Sequence, residues 1–334
     1  MAIEKMHAIR QHEFGDADVL RYERVDAPVP DAGQVLIRVA AAGVHLIDTT
    51  IRAGTGGGPM PVPDLPMTPG REVAGTIDAV GTGVEESWIG RTVVGHLGAA
   101  NGGYAEYVVA ELARIHPVLD GLDPAVAVAV IGTGRTTAAI VDAARITPSD
   151  VVLITAAAGG IGLLLVQWAK HAGATVVGVA GGETKLAAVR AAGADVAIDY
   201  LDPDWPAAVT TALGGRAVSA VLDGVGGAAG RAAFDLLGTE GRLLVFGWSA
   251  GAPVDVRTID LFGRSLTVSG AIGARVLARL AEFEIMALRA AADGIAVPVV
   301  GQRFALSDAP DAHRAVAGRG TIGKTVLVPA GSDR

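Results

Sequence analysis

Apolar positions in the first 120 residues come in short alternating runs, and from about residue 124 the texture changes. Segments 17–24 (DVLRYERV), 34–41 (QVLIRVAA), 73–80 (VAGTIDAV), 91–95 (RTVVG) and 104–109 (YAEYVV) predict strands, joined by Pro/Gly-rich connectors such as 54–70. The middle of the chain predicts strands at 151–155, 175–179, 196–199, 218–222, 242–246 and 265–269. Helices of ten or so residues are expected between them, at 161–172, 183–192, 204–213 and 227–237, after an Ala-rich helix at 136–145. Such alternation builds crossover units on a mainly parallel sheet. A helix near 273–293 follows, then apolar runs at 297–300 and 324–328 flanking a helix at 307–317. Periodicity leaves open whether this tail extends the sheet or completes the first domain.

Composition narrows the class. The 334 residues suit two domains, and 51% apolar against 19% charged residues excludes a disordered chain. Aromatics are 4% and the formal charge is -8, so a nucleic-acid surface of stacking rings on a basic face is poorly supported. With no cysteine, disulfides and thiolate metal sites are excluded, while His/carboxylate sites stay possible. The first residues, MAIEKMHAIRQHEFG, hold no apolar signal core, and the expectation is a cytoplasmic protein. The uncharged run 151–169 is long enough on paper to cross a bilayer, but its small-residue break at 156–160 reads better as a buried strand, turn and helix.

That break carries the sharpest local signal. Ala158, Gly159, Gly160, Ile161 and Gly162 sit between VVLIT and LLLVQWAK, where small residues let a diphosphate approach the N–H groups opening the next helix. Ala157 occupies the first glycine position of the usual G-x-G-x-x-G fingerprint. At the end of the second strand, where NAD sites commonly place an acid, stand Ala180 and Gly181, and Lys185 follows as a candidate partner for a 2'-phosphate. This favours NADPH, with Glu183 as a complication. Asp223–Gly227 and Phe246, Gly247, Trp248 and Ser249 mark two further strand ends with the same direction.

Taken together, AAGVHLIDTTIRAG (41–54), PGREVAGTIDAVGTGV (69–84), GGYAEYVV (102–109), GRTTAAI (134–140), AAAGGIGLLLVQWAK (156–170), DGVGG (223–227), GRLLVFG (241–247) and IGKTVLV (322–328) resemble the quinone oxidoreductase (zeta-crystallin-like) branch of the medium-chain dehydrogenases/reductases over nearly the whole chain. The resemblance implies an α/β fold class, a Rossmann-type parallel sheet domain plus a β-rich GroES-like catalytic domain. The GroES-like domain would comprise 1–123 and 272–334, and the NADPH-binding domain 124–271. It also implies NADPH contacts at the glycine turn, Thr136, Lys185, Tyr200, 246–249 and Lys324, and assembly as a homodimer, for which RSLTVSG (264–270) is the candidate edge. A helix cap is the alternative role for Thr136, an edge tyrosine for Tyr200 and a solvated strand start for Lys324.

The zinc-dependent members of that superfamily use a cysteine and a histidine at positions matching His45 and Arg71, and a guanidinium is no ligand for a dication. The expected chemistry is therefore metal-free hydride transfer from NADPH to a quinone. His45, Asp48, Thr50 and Arg52 form the substrate-side group, with Asp48 an organiser. His45 stands where the branch typically has asparagine and Thr50 where many members have tyrosine, and no acid or base is assigned. Reduction of an activated double bond in an enone or enal, and a non-catalytic nicotinamide- and RNA-binding role, are the alternatives.

Overall fold

In the computed structural model, residues 4–55, 62–119 and 122–331 are described. Positions 56–61 of the Pro/Gly-rich connector lie outside them. The chain forms two compact units, one from 1–132 with 299–334 and the other from 133–298.

The first unit opens with the antiparallel pair β1 (Lys5–Gln11) and β2 (Leu20–Asp26). β3 (Gln34–Val44) runs directly into the short helix α1 (Leu46–Arg52), and β4 (Glu72–Val80), β5 (Thr92–His96), β6 (Tyr107–Glu111) and β7 (Ile115–Pro117) follow. Helix α2 (Pro124–Ile131) closes this stretch; Pro124 sits at its start and Asp123 Oδ1 accepts from the Ala125 and Val126 N–H groups at 2.8 and 3.3 Å.

The second unit begins with α3 (Thr133–Ala144) and then alternates. β8 (Val151–Ile154), α4 (Gly160–His171), β9 (Thr175–Ala180), α5 (Glu183–Ala191), β10 (Val196–Asp199), α6 (Trp205–Ala212), β11 (Val218–Asp223), α7 (Gly227–Asp235) and β12 (Leu237–Val245) come in turn. α8 (Thr258–Phe262), β13 (Thr267–Gly270), α9 (Ala274–Leu277) and α10 (Leu280–Ala292) complete it. The sheet order is β10-β9-β8-β11-β12-β13 and every adjacent pair is parallel, the arrangement of a Rossmann fold with its switch point between β8 and β11. Val152, Leu153, Ile154, Val177 and Val221 are fully buried because helices cover both faces of such a sheet.

The chain then returns to the first unit as β14 (Val300–Ala305), α11 (Ala309–Ala317) and β15 (Lys324–Val328). β15 pairs antiparallel with β3, giving the order β14-β15-β3-β4-β5-β7 with β6 also on β3. Ile37, Val39, Val73, Ile77, Val93, Tyr104 and Leu327 lie in its core. The units change at 132 and 298, where the sequence places boundaries at 123 and 271. α2 is apolar on all sides and packs on β3, β4 and β5, whereas α10 packs along α3. The uncharged run 151–169 divides into β8 and α4, and among the described residues no single helix is long and apolar enough to cross a membrane.

Candidate active site

In the parallel-sheet unit the glycine turn links β8 to α4 at the switch point. Gly159 is the N-cap of α4, so the helix opens with Gly160, Ile161 and Gly162 and presents their N–H groups. A side chain at Gly162 would stand 2.3 Å from the Ala156 carbonyl oxygen, so glycine here lets the helix start tightly against the turn. Ala157 and Ala158 are buried, and the Ala157 methyl is accommodated because Gly178 lies opposite it on β9; a Cβ there would be 3.1 Å away. This explains how the chain departs from the usual fingerprint without losing the turn.

Across the switch point, Thr155 Oγ1 donates to Asp223 Oδ1 at 2.6 Å and accepts from Gly224 N–H at 3.0 Å. The same carboxylate accepts from Val225 and Gly226 N–H at 3.0 Å, which folds the 223–227 loop back on β11. Phe246 and Ser249 donate backbone N–H groups to Asp223 and Gly224 carbonyls at 2.8 and 3.0 Å, so the loops after β11 and β12 form one ledge. Gly247 lies within it, and Trp248 is half exposed. Thr155 is an organising residue that no motif announced, and it acts through Asp223, the first residue of the DGVGG strand end.

At the end of β9, Gly181 is overhung by Leu201, and Gly182 N–H donates to Asp199 Oδ2 at 3.0 Å. Glu183 is engaged by Arg190 at 2.6 Å. Lys185 is half-buried on α5, and Tyr200 packs against the core beside β10. Thr136 lies inside α3, past its first turn, so it is not a helix cap.

The β-rich unit gathers a second constellation. Asp48 Oδ2 accepts the His45 N–H at 2.8 Å, and Oδ1 accepts Arg71 Nη2 at 2.9 Å. The Tyr104 hydroxyl donates to Oδ2 at 3.3 Å and in turn accepts from His313 Nε2, also 3.3 Å away; Arg52 Nη1 donates to His313 Nδ1 at 3.4 Å. These directions follow from the guanidinium, which only donates. Burial alone would raise the Asp48 carboxyl, but His45, Arg71 and His313 hold it below the ordinary range. Burial, reinforced by Asp48, pushes the Tyr104 phenol well above its usual value, and burial pushes His313 down to about 4. Asp48 thus ties together the His45 backbone, Arg71 and Tyr104.

Arg52 differs from expectation. It stands four residues after Asp48, on the same face of α1, and is buried with Nε on the Gly15 carbonyl at 3.1 Å instead of facing an acceptor. Thr50 lies on another face, half-buried, its hydroxyl donating to the Ile47 carbonyl at 2.8 Å.

His45 belongs to a tighter group. Its Nε2 lies 2.6 Å from both Lys324 Nζ and Glu72 Oε2, and Lys324 Nζ lies 2.9 Å from the same carboxylate oxygen. Glu72 is wholly enclosed, Lys324 is 4% exposed and His45 is 22% exposed. Burial works to raise the Glu72 carboxyl, yet His45 and Lys324 take it well below the usual carboxylate range. Lys324, expected among the phosphate contacts or on the surface, instead carries its ammonium inside, against Glu72 and His45. A zinc ion does not fit this donor set: Arg71 holds the second position, the Lys324 ammonium lies against both the His45 and Glu72 donors, and no three His, Cys, Asp or Glu side chains converge among the described residues.

The two halves match two family models, the alcohol dehydrogenase GroES-like domain over residues 31–120 and the zinc-binding dehydrogenase domain over 160–291. The 2-haloacrylate reductase of Burkholderia sp is 31% identical over 334 residues, covering 95% of this chain and 97% of that protein. Quinone oxidoreductase 1 of Escherichia coli K12 is 31% identical over 330 residues, covering 96% and 99%. The chain belongs to the quinone oxidoreductase family of the medium-chain dehydrogenases/reductases. A mycobacterial protein solved with NADPH superposes with a TM-score of 0.84 at 34% identity, covering 97% of this chain and 100% of that one. The family is one of oxidoreductases, and its GroES-like plus Rossmann architecture is that of the two units described above.

Proposed function

We propose that the protein is an NADPH-dependent, zinc-independent reductase acting on quinones. The observation that carries this reading is the Gly159–Gly162 turn opening α4 at the switch point of a parallel sheet, a built seat for a dinucleotide diphosphate. The fit is supported by the mycobacterial relative, which was solved with NADPH. The N–H groups at Gly160, Ile161 and Gly162 receive the diphosphate, the 246–249 ledge flanks it, Lys185 and Tyr200 take the adenosine end, and Thr136 orients the carboxamide. Bound NADPH supplies a hydride. Thr50 and His45 hold the acceptor, and Asp48 with Arg71 fixes the helix that carries them. No step is routed through a metal.

A second acceptor class, activated carbon–carbon double bonds, is favoured by the 2-haloacrylate reductase relative, whose name specifies such a substrate. Parallel turnover assays with a quinone and an enone, with NADPH or NADH and after thorough chelation, test the proposal. Quinone turnover that prefers NADPH and survives chelation is expected; activity restored only by zinc rejects it.

A further inference from the structure

We propose that the buried Thr155–Asp223 pair is the positioning device for the nicotinamide half of the cofactor. This rests on the reading of the protein as an NADPH-binding reductase and deepens it by assigning the two halves of the cofactor to different loops of the parallel-sheet unit.

The pair sits where the strand order reverses. Leu222 of β11 lies beside Ile154 of β8, so Thr155 and Asp223 emerge side by side from the two central strands. β9 and β10 lie to one side of β8, β11 and β12 to the other. A dinucleotide with its diphosphate on the Gly160–Gly162 N–H groups lays one half over each side. Lys185, assigned to the extra phosphate, follows β9. The adenosine half therefore takes that side, and the nicotinamide half meets the loops after β11 and β12.

Glycine content alone would make 223–227 a second phosphate cradle, but its hydrogen bonds rule this out. Four consecutive N–H groups are spent inside the unit: Gly224 on Thr155 Oγ1 at 3.0 Å, Val225 and Gly226 on the Asp223 carboxylate at 3.0 Å, and Gly227 on the Ala252 carbonyl at 2.9 Å. A carboxylate enclosed beneath them disfavours an anion further. The glycines serve packing instead. A Cβ at Gly224 would stand 2.3 Å from the Phe246 ring, and one at Gly226 would stand 2.3 Å from the Ala252 carbonyl oxygen. At Gly230 of α7 it would come within 2.6 Å of Asp223 Oδ2. The loop is a shaped wall, locked to the 246–252 segment by the N–H groups of Phe246, Ser249 and Ala250.

Such a wall depends on its hub. Gly226 and Gly227 have φ of +67° and +54°, and glycines lose more freedom on ordering than other residues. Without the Thr155 hydroxyl, Gly224 N–H and Asp223 Oδ1 each lose a buried partner. Cofactor binding would then have to order the loop itself, which weakens it.

The test measures binding to the intact protein. T155V removes the hydroxyl at nearly constant volume, and T155S restores it. NADPH affinity by calorimetry should fall about tenfold in T155V and stay within about threefold of wild type in T155S. Adenosine 2',5'-bisphosphate carries the adenosine half without the nicotinamide, and its affinity should stay within about twofold of wild type in both variants. An equal loss for this fragment, no loss for NADPH, or failure of serine to rescue overturns the proposal. So does a wild type that binds NADPH but not the fragment, because the halves are then not held separately. If T155V does not fold, amide exchange in unliganded wild type decides. The Val225 and Gly226 N–H groups should be protected by about 100-fold or more, and exchange as fast as in an unstructured chain overturns the hub. A wild type that binds neither compound rejects the NADPH reading and with it the pair's role, while amide exchange reports separately on the loop.

Discussion

His313 meets Tyr104 edge-on, ring centroids 5.7 Å apart at an interplanar angle of 88°, with Nε2 3.3 Å from the tyrosine hydroxyl. The imidazole is fully enclosed, and burial lowers it from 6.5 to about 4 despite the attraction of Asp48. The folded state thus takes up the proton later than the unfolded chain. Stability from this group is complete above about pH 6.5 and is lost as pH falls toward 4, by up to about 3 kcal/mol. Urea unfolding between pH 8 and 4.5 should show this fall in wild type and a flatter profile in H313Q. Equal slopes for the two proteins reject the assignment.

Removing the ammonium of Lys324 leaves Glu72 charged and enclosed. K324M should destabilise by about 3–5 kcal/mol, the cost typical of breaking a buried pair from one side. Adding E72Q should return part of that loss, since a neutral amide does not need the cation. Denaturant midpoints of the two single variants and the double variant give the coupling; simple additivity would show that the two side chains act independently.

At the glycine turn, G160V should weaken NADPH binding at least about tenfold, roughly 1.4 kcal/mol, because a branched side chain fills the space a diphosphate needs. Calorimetric titration with circular dichroism as a fold control measures it. Unchanged affinity in a folded variant would move the diphosphate elsewhere.

Lys185 on α5 is the cation we assign to the extra phosphate, and the neighbouring Glu183 is engaged by Arg190 at 2.6 Å. K185A should reduce affinity for NADPH more than for NADH. Comparable losses for both cofactors would give the lysine a general packing role.

Assembly is expected through the edge strand β13. Beside it Phe262 and Ile259 are 79% and 64% exposed, on α8 of the same unit. Such side chains at an open sheet edge suit pairing with a second copy of the chain. Light scattering should find a dimer in wild type and a monomer in F262D; a monomeric wild type at high concentration rejects the assembly.

Legibility differed between the two units for physical reasons. The strands of the parallel sheet are covered on both faces, so they stand out as apolar runs between helices, and VVLI, TVVGVA and VSAVLD were readable at once. β1 (KMHAIRQ) was missed because polar residues interrupt its buried positions. α2 (PAVAVAVI) was missed for the opposite reason: a helix buried all round has no polar face, and its Ala/Val alternation imitates a strand. Asp123 followed by Pro124 was the available start signal. In the site, the glycine turn was local and legible. Tyr104, Glu72 and His313 come from separate segments and carry no shared spacing, and the His45–Lys324 contact spans 279 positions. Arg52 was misplaced because helical periodicity shows which residues share a face but not which face turns inward.

The return of the chain to its first unit also orders events on the ribosome. The parallel-sheet unit has all its strands once residue 298 emerges, and it can close while synthesis continues. The β-rich unit cannot. Until 324–328 appear, the edge of β3 that β15 covers is open, and Glu72 has no lysine to enter beside it. The earlier-made half is therefore the last to mature, and a nascent-chain holdase would find its exposed edge there for the time taken to translate the intervening unit.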